Sequence, residues 1–242
     1  MPVVRSVELG SDGAHADKGW EERVISEEEL ERIAEKDPDL SPSAARGILA
    51  RLNVRARYYI AEDIKAKRVL RVPYDFHKFK HWTPMPGNLP ELAQLPKSVL
   101  IVKSIPFLGW YEKGLLVGDT EVCIGKSRGS TKAGVYRIDT KMAEAVSLKY
   151  NNAYGEPAPM PWAMRIYEHV WVHAGDVSSG YCSHGCINLP IMPAMALFNW
   201  ADTNTVVLIL DSLETIRKFF KSNGSNCLLF PDTCRKSRVS RR

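Results

Sequence analysis

Several features that would place this sequence in a special class are missing from it. No stretch reaches about 18 consecutive apolar residues, so no segment is a candidate for a membrane-spanning helix. No internal repeat or low-complexity segment is visible, which excludes solenoid and collagen-like folds. Residues 1–5 also lack the basic start and apolar core of a secretory signal peptide. The protein is therefore either cytosolic or has lost a leader, and the sequence leaves both interpretations open.

The composition is that of an ordinary globular protein. Of its 242 residues, 45% are hydrophobic and 25% are charged, which excludes a chain that is disordered throughout. The net charge of +5 comes from residues 217–242, which hold eight Lys or Arg and one Asp, whereas residues 1–216 together carry −2. The positive net charge therefore says nothing about a ligand of residues 1–216. We interpret the tail as a solvated terminus, with contact to an anionic surface or nucleic acid as the alternative.

The N-terminal region carries two helix-start signals. Residues 1–20 are polar and predict a loose arm. Ser26 followed by Glu29 forms a capping-box pattern, and the helix that it begins should end near Asp37–Pro38. A second helix is predicted from Ser41–Pro42, because proline is favoured at the first helical position.

In the segment after these helices, the spacing of apolar residues changes from a helical period to a period of two. Apolar and polar side chains alternate over residues 54–60, which predicts a strand with one basic face, and residues 69–72 predict its return. Glu62 and Asp63 interrupt the basic face and no known reader module surrounds it, so we expect no nucleic acid as partner. Five prolines between positions 73 and 96 predict a linker.

From residue 97 onward the sequence is typical of an all-β domain. Apolar runs of strand length recur at short intervals, and Lys113–Gly114 predicts a tight hairpin turn. The predicted strands cover residues 98–103, 121–125, 135–139, 170–173 and 206–210, and the predicted helices cover residues 193–200 and 213–220. The predicted fold class is mostly β. A sandwich or barrel spans 97–212, preceded by a small α/β region and linker at 1–96 and followed by a helix and basic tail at 213–242.

Reactive side chains are concentrated in residues 173–190. His173, Cys182, His184 and Cys186 lie within 14 residues among glycines. They could form a tetrahedral zinc site, although the spacing lacks the usual Cys-x2-Cys pair. They could also be structural: a buried cysteine, a hydrogen-bonded histidine and a disulfide.

The third interpretation makes Cys186 a nucleophile. A reactive thiolate needs a base or oriented N–H groups, and His173 could act as that base from a separate strand. Gly185 has no side chain, so the backbone could approach a substrate carbonyl closely. The N–H groups of Gly185 and Cys186 would then form an oxyanion hole.

The order His-x-Gly followed by Ser-His-Gly-Cys-Ile-Asn resembles the L,D-transpeptidase (YkuD-type) catalytic domain of bacterial peptidoglycan enzymes. Residues 122–126, 130–136 and 160–166 are similar to further motifs of that family. The resemblance covers residues 97–211 and implies a YkuD-like β-sandwich or barrel. Three departures are visible: Lys132 replaces a proline, the gap from His173 to Ser183 is short, and Cys182 is an uncommon second thiol.

The resemblance implies a role for each residue of the site. Cys186 would be the nucleophile and His173 the base, with the backbone carbonyl of Ala174 orienting the imidazole. His184 and Gly185 would shape the pocket around them. The implied substrate-binding residues are Ser183, Asn188, Tyr154, Trp162 and Met164, of which the last three are also explained by simple packing.

The implied reaction is acyl transfer on a peptidoglycan tetrapeptide stem. The thiol would displace D-Ala, and an amine of a second stem would resolve the thioester as a 3→3 cross-link. Such chemistry needs neither a metal nor an organic cofactor. The resemblance further implies the bacterial cell envelope or periplasm as location and carbapenems as inhibitors. The alternatives are a carboxypeptidase or cytosolic thiol hydrolase on muropeptides, and a non-catalytic wall-binding module.

The chain contains five cysteines, an odd number that suggests a free thiol in an exported protein. Cys227 and Cys234 flank a turn-forming Pro231–Asp232 pair, which predicts a disulfide between them if the protein is exported.

Overall fold

A computed structural model describes residues 18–216 of the chain. Its helices are α1 (Glu27–Lys36), α2 (Pro42–Asn53), α3 (Arg57–Lys65) and α4 (Ile191–Trp200). Its strands are β1 (Trp20–Arg23), β2 (Leu70–Pro73), β3 (Lys97–Val102), β4 (Phe107–Glu112), β5 (Leu115–Glu121), β6 (Ile124–Gly125), β7 (Gly134–Arg137), β8 (Thr140–Asn151), β9 (Pro157–Tyr167), β10 (Val170–Ala174), β11 (Tyr181–Ser183), β12 (Ile187–Leu189) and β13 (Val206–Leu210). Within this part of the chain, no helix has the length and apolar content needed to cross a membrane.

The N-terminal region packs α1, α2 and α3 with a two-stranded antiparallel sheet of β1 and β2. The two predicted helix starts are confirmed: the Ser26 hydroxyl accepts from the Glu29 N–H, and the Ser41 hydroxyl accepts from the Ala44 N–H. The predicted loose arm is wrong at its end, because β1 begins at Trp20 and pairs with β2.

The predicted strand over residues 54–60 is also wrong, because this stretch enters α3. Ala56 is the N-cap residue, and Ile60 and Ile64 follow at a spacing of four and are buried in the N-terminal core. A window of seven residues that alternates can also fit one helical face, and tertiary packing decided between the two periods. Val54 ends α2 in the left-handed conformation, with φ of 52°.

The proline-rich segment contains only two short 3₁₀ helices, Phe76–Phe79 and Pro90–Leu92. The prolines therefore prevent long regular structure, as predicted. The segment is nevertheless packed rather than free, since Met85, Leu89 and Leu92 are buried against β3 and β4.

The β-rich region consists of two main sheets. One has the strand order β5-β4-β3-β13-β7 and the other has the order β12-β10-β9-β8, and β6 pairs separately with β11. Apolar side chains of both main sheets and of α4 meet in one core. The mostly β prediction is thus confirmed. The predicted hairpin at Lys113–Gly114 is confirmed as well, since both residues have positive φ between β4 and β5.

Three predictions fall wholly or partly outside the described residues. These are the Cys227–Cys234 disulfide, the basic tail and the second half of the helix over residues 213–220.

Candidate active site

The candidate site lies on one face of the β10–β12 pair. These strands are parallel, with Val172 opposite Ile187 and His173 opposite Asn188. Val172 and Ile187 point into the core between the sheets. Because side chains alternate along a strand, His173 and Asn188 point to the opposite face, and Cys186 precedes β12 on that same face. The predicted base and nucleophile therefore face the same side, His173 from β10 and Cys186 from the position just before β12.

Cys186 is the free cysteine of the described residues and is partly buried. Its Sγ lies 3.8 Å from the carbonyl oxygen of His169. Burial raises the pKa of the Cys186 thiol above its ordinary value, and a hydrogen bond from the Trp171 backbone offsets part of this rise. The thiol is therefore protonated at neutral pH and needs a base when it attacks.

His173 is held in the orientation of such a base. Its Nδ1–H donates to the Ala174 carbonyl at 2.7 Å, which leaves Nε2 as the ring nitrogen that can accept a proton. Burial lowers the pKa of His173, and the hydrogen bond to Ala174 raises it by less. The imidazole is consequently neutral at pH 7. The bond to Ala174 is the one that the family resemblance implied.

The turn before Cys186 is organised by the Ser183 hydroxyl. Ser183 Oγ accepts from the Gly185 N–H at 3.1 Å and donates to the Cys186 carbonyl at 2.6 Å. The prediction that the Gly185 N–H serves as an oxyanion donor is therefore corrected, because Ser183 already engages that group. In the described part of the chain, no group accepts from the Cys186 N–H. It is the donor left for an oxyanion next to the thiol.

Asn188 ties the end of β10 to β12. Its Nδ2 donates to the Asp176 carbonyl at 3.0 Å, and its backbone pairs with Cys123. Gly175 makes room for this amide, because a Cβ there would lie 2.9 Å from Asn188 Cγ. Asn188 thus holds the loop that follows His173.

His184 is exposed and lies under the β8–β9 hairpin. Its ring stacks on Tyr150 of β8, with ring centroids 4.2 Å apart and planes 14° apart. Tyr154, an expected wall residue, is 89% exposed in the turn between β8 and β9. Sequence reasoning missed Tyr150, because its contact with His184 depends on the position of the β8–β9 hairpin in the folded protein.

Trp162 and Met164 are not brought to the Cys186 face. Met164 is fully buried in the core between the sheets, and Trp162 packs against Phe198 of α4 with ring centroids 5.4 Å apart. The structure corrects both assignments. The sequence did carry a signal for a better wall residue, because Trp171 lies two positions before His173 and therefore shares its face.

Tyr167 is a second residue that sequence reasoning missed. Its pKa is raised by burial above all; the hydrogen bond from the Lys132 backbone lowers it, and the charges of Tyr136, Glu168 and Cys186 raise it further. The Tyr167 hydroxyl accepts from the Lys132 N–H at 2.8 Å, which leaves its own proton free to be donated. The ring stacks on Tyr136 at 4.3 Å.

A disulfide joins Cys182 to Cys123, which lie 59 positions apart in sequence with 5.6 Å between their Cα atoms. It links β11 to the segment between β5 and β6. The zinc interpretation is thereby overturned for these residues, because Cys182 is no longer a thiolate ligand. Among the described residues, no group of three potential metal ligands occurs.

The helical N-terminal region contacts the loop between His173 and Cys182. The hydroxyls of Tyr58 and Tyr59 on α3 both donate to the Asp176 carboxylate, the second at 2.9 Å. The Ala56 N–H donates to the Val177 carbonyl at 2.7 Å. The N-terminal region therefore supports the loop that follows the candidate base.

Comparison with known proteins bears on the same part of the chain. Residues 96–209 match the family model YkuD, the L,D-transpeptidase catalytic domain. No curated protein matches the chain at a significant level.

Solved structures similar to the chain include three L,D-transpeptidases. An enzyme from Mycobacterium smegmatis is 18% identical, with a TM-score of 0.43, 47% of this chain covered and 58% of that one. LdtMt1 in complex with imipenem is 21% identical, with a TM-score of 0.43 and coverage of 47% and 58%. A mutant of the Enterococcus faecium enzyme is 26% identical, with a TM-score of 0.42 and coverage of 47% and 49%. The matched part of this chain thus spans between 49% and 58% of the length of these proteins. Over residues 96–209, this chain is therefore similar to the L,D-transpeptidase catalytic domain that the YkuD family model describes.

Proposed function

We propose that this protein is a peptidoglycan L,D-transpeptidase in which Cys186 is the nucleophile and His173 the base. The observation that supports this proposal is that His173 lies on β10 and Cys186 directly precedes β12, the parallel neighbour of β10, while the His173 Nδ1–H donates to the Ala174 carbonyl. That bond leaves Nε2 available to take the thiol proton. The match of residues 96–209 to the L,D-transpeptidase catalytic domain supports the substrate class.

In the acylation step, His173 Nε2 removes the proton of Cys186 as Sγ forms a bond to the donor carbonyl. That carbonyl joins the diamino acid of a tetrapeptide stem to its terminal D-Ala. The Cys186 N–H, which has no acceptor among the described residues, would donate to the resulting oxyanion. The C–N bond then breaks, the proton passes from His173 to the departing amine, and D-Ala leaves.

In the second step, an amine of another stem attacks the thioester and regenerates the Cys186 thiol. The product is a 3→3 cross-link, and attack by water would instead yield a tripeptide. Incubation with tetrapeptide muropeptides and mass analysis of the products separates the two reactions. We expect dimers that have lost one D-Ala. Tripeptide alone would reassign the protein as a carboxypeptidase, and unchanged substrate would overturn the proposal.

We place the protein in the bacterial cell envelope. The Cys123–Cys182 disulfide supports this location, because disulfides persist in oxidising compartments. Carbapenems are proposed as inhibitors, since LdtMt1 is similar in fold and its structure contains imipenem. Their strained amide would acylate Cys186 in place of the stem carbonyl.

The pH dependence of acylation tests the pairing of the two residues. The lowered pKa of His173 keeps the base form available at neutral pH, so the rate should be level between about pH 7 and 8.5. It should fall only as the pH drops below the ~6.5 of an ordinary histidine. The measurement is the second-order rate of carbapenem acylation, followed by intact-protein mass from pH 5 to 9.

The His173→Gln variant provides the comparison. Without the base, the rate should no longer level off above the pKa of His173. It should instead keep rising with pH towards the raised pKa of Cys186. A parent protein whose rate climbs only near pH 8.5, as for a simple thiol, would show that no base is engaged.

A further inference from the structure

The buried hydroxyl of Thr131 joins two segments that are distant in sequence. The residue is 3% exposed and lies in the loop between β6 and β7. Its Oγ1 accepts from the Gly125 N–H at 3.0 Å and donates to the Gly185 carbonyl at 2.8 Å. A fixed donor therefore holds the carbonyl that directly precedes the candidate nucleophile.

This contact determines the direction of the next N–H group. The peptide bond between Gly185 and Cys186 is trans, as are all others in the described residues. In a trans peptide, the C=O and the following N–H point in opposite directions within one plane. Because Thr131 holds the Gly185 carbonyl on its own side, the Cys186 N–H points away from Thr131.

The Gly185–Cys186 peptide needs such an anchor because its backbone is unusually free. Gly185 has φ of +150°, a conformation that other residues rarely adopt, and a Cβ there would lie 2.9 Å from the Ser130 carbonyl oxygen. The Ser183 hydroxyl holds the Gly185 N–H and the Cys186 carbonyl, which lie in the two neighbouring peptide planes. The peptide plane between these two, which joins Gly185 to Cys186, is held by the hydrogen bond from Thr131.

We propose that Thr131 is a positioning residue that aims the Cys186 N–H at the developing oxyanion. The inference rests on the proposed function and adds to it a residue that touches neither the substrate nor the thiol. Loss of the hydroxyl should let the peptide rotate about the glycine. Oxyanion stabilisation would then weaken while the thiol and His173 remain in place.

Two reactions of the same thiol distinguish this role from a merely structural one. Acylation by a carbapenem passes through a tetrahedral oxyanion. Alkylation by iodoacetamide forms the S–C bond as iodide leaves from a saturated carbon, and no oxyanion develops. In Thr131→Val, which removes the hydroxyl at nearly constant volume, we expect acylation to slow by ~10–100-fold, less than the 10²–10³ for complete loss of a donor. Alkylation should stay within about twofold of the parent rate, because its barrier involves no oxyanion donor.

Thr131→Ser restores the hydroxyl and should return acylation to within about threefold of the parent rate, because the donor to the Gly185 carbonyl is back in place. Ser130→Ala is the matched control, since its hydroxyl donates to the Ser127 carbonyl at 2.6 Å and has no bond to Gly185. It should leave both reactions nearly unchanged. The acid limb of the pH profile should also persist in Thr131→Val, because His173 is untouched.

Two outcomes would overturn the role of Thr131 alone: acylation of Thr131→Val at the parent rate, or equal slowing of acylation and alkylation. A parent protein that iodoacetamide alkylates at Cys186 but no carbapenem acylates would overturn the proposed function, and the role of Thr131 with it.

Discussion

Cys186→Ala is expected to abolish acylation by a carbapenem and release of D-Ala from tetrapeptide stems, a fall of ~10⁴-fold or more. Among the described cysteines, Cys123 and Cys182 are bonded to each other and Cys186 alone is free. Intact-protein mass should show one adduct per parent chain, and a peptide map should place it on Cys186. An adduct of unchanged yield in Cys186→Ala would assign the reaction to another sulfur.

His173→Gln should slow the same acylation by ~10²–10⁴-fold, the usual contribution of a positioned base. His77→Gln is the control for loss of a histidine, because His77 is exposed and pairs with Asp37 in the N-terminal region. It should react at the parent rate. Full-rate acylation of His173→Gln would move the base elsewhere, most directly to His184.

Cys182→Ser is expected to lower the free energy of unfolding by about 4 kcal/mol. The Cys123–Cys182 bond closes a loop of 59 residues, and the chain-entropy relation gives about that value for its closure. Urea unfolding in oxidising buffer measures the difference. Addition of a reductant to the parent should bring its unfolding midpoint towards that of the variant.

Cys186→Ser is the control for replacing a sulfur, because it removes a thiol that makes no cross-link. Its unfolding midpoint should stay near that of the parent in oxidising buffer. Equal midpoints for the parent and Cys182→Ser would show that the bond does not form in solution.

Acylation at Cys186 and stabilisation by the Cys123–Cys182 disulfide require that nearby cysteines be in different redox states. Cys186 must stay reduced to act as nucleophile, whereas Cys123 and Cys182 must be oxidised to restrain β11. Burial supports this separation, since the raised pKa of Cys186 keeps its thiol protonated and slow to exchange with disulfides. Treatment with oxidised glutathione should therefore leave Cys186 largely unmodified at pH 7.

The sequence by itself determined the features that depend on neighbouring residues. The caps at Ser26 and Ser41 and the Lys113–Gly114 turn are local, because each depends on hydrogen bonds or dihedral angles within a few residues. The grouping of His173 with Cys186 also followed from a short segment and its motif. The roles of these two residues remain predictions, which the variants above test.

Only the tertiary structure decided features that join distant segments or depend on which face is buried. The Cys123–Cys182 bond and the Thr131–Gly185 contact span 59 and 54 residues, and spacing does not reveal such pairs. Met164 points into the core rather than into the site. Strand β9 has two faces, and the packing of the two sheets determines which face is buried. Residues 54–60 became part of a helix for the same reason, since a short alternating pattern fits either period until its apolar side chains find partners.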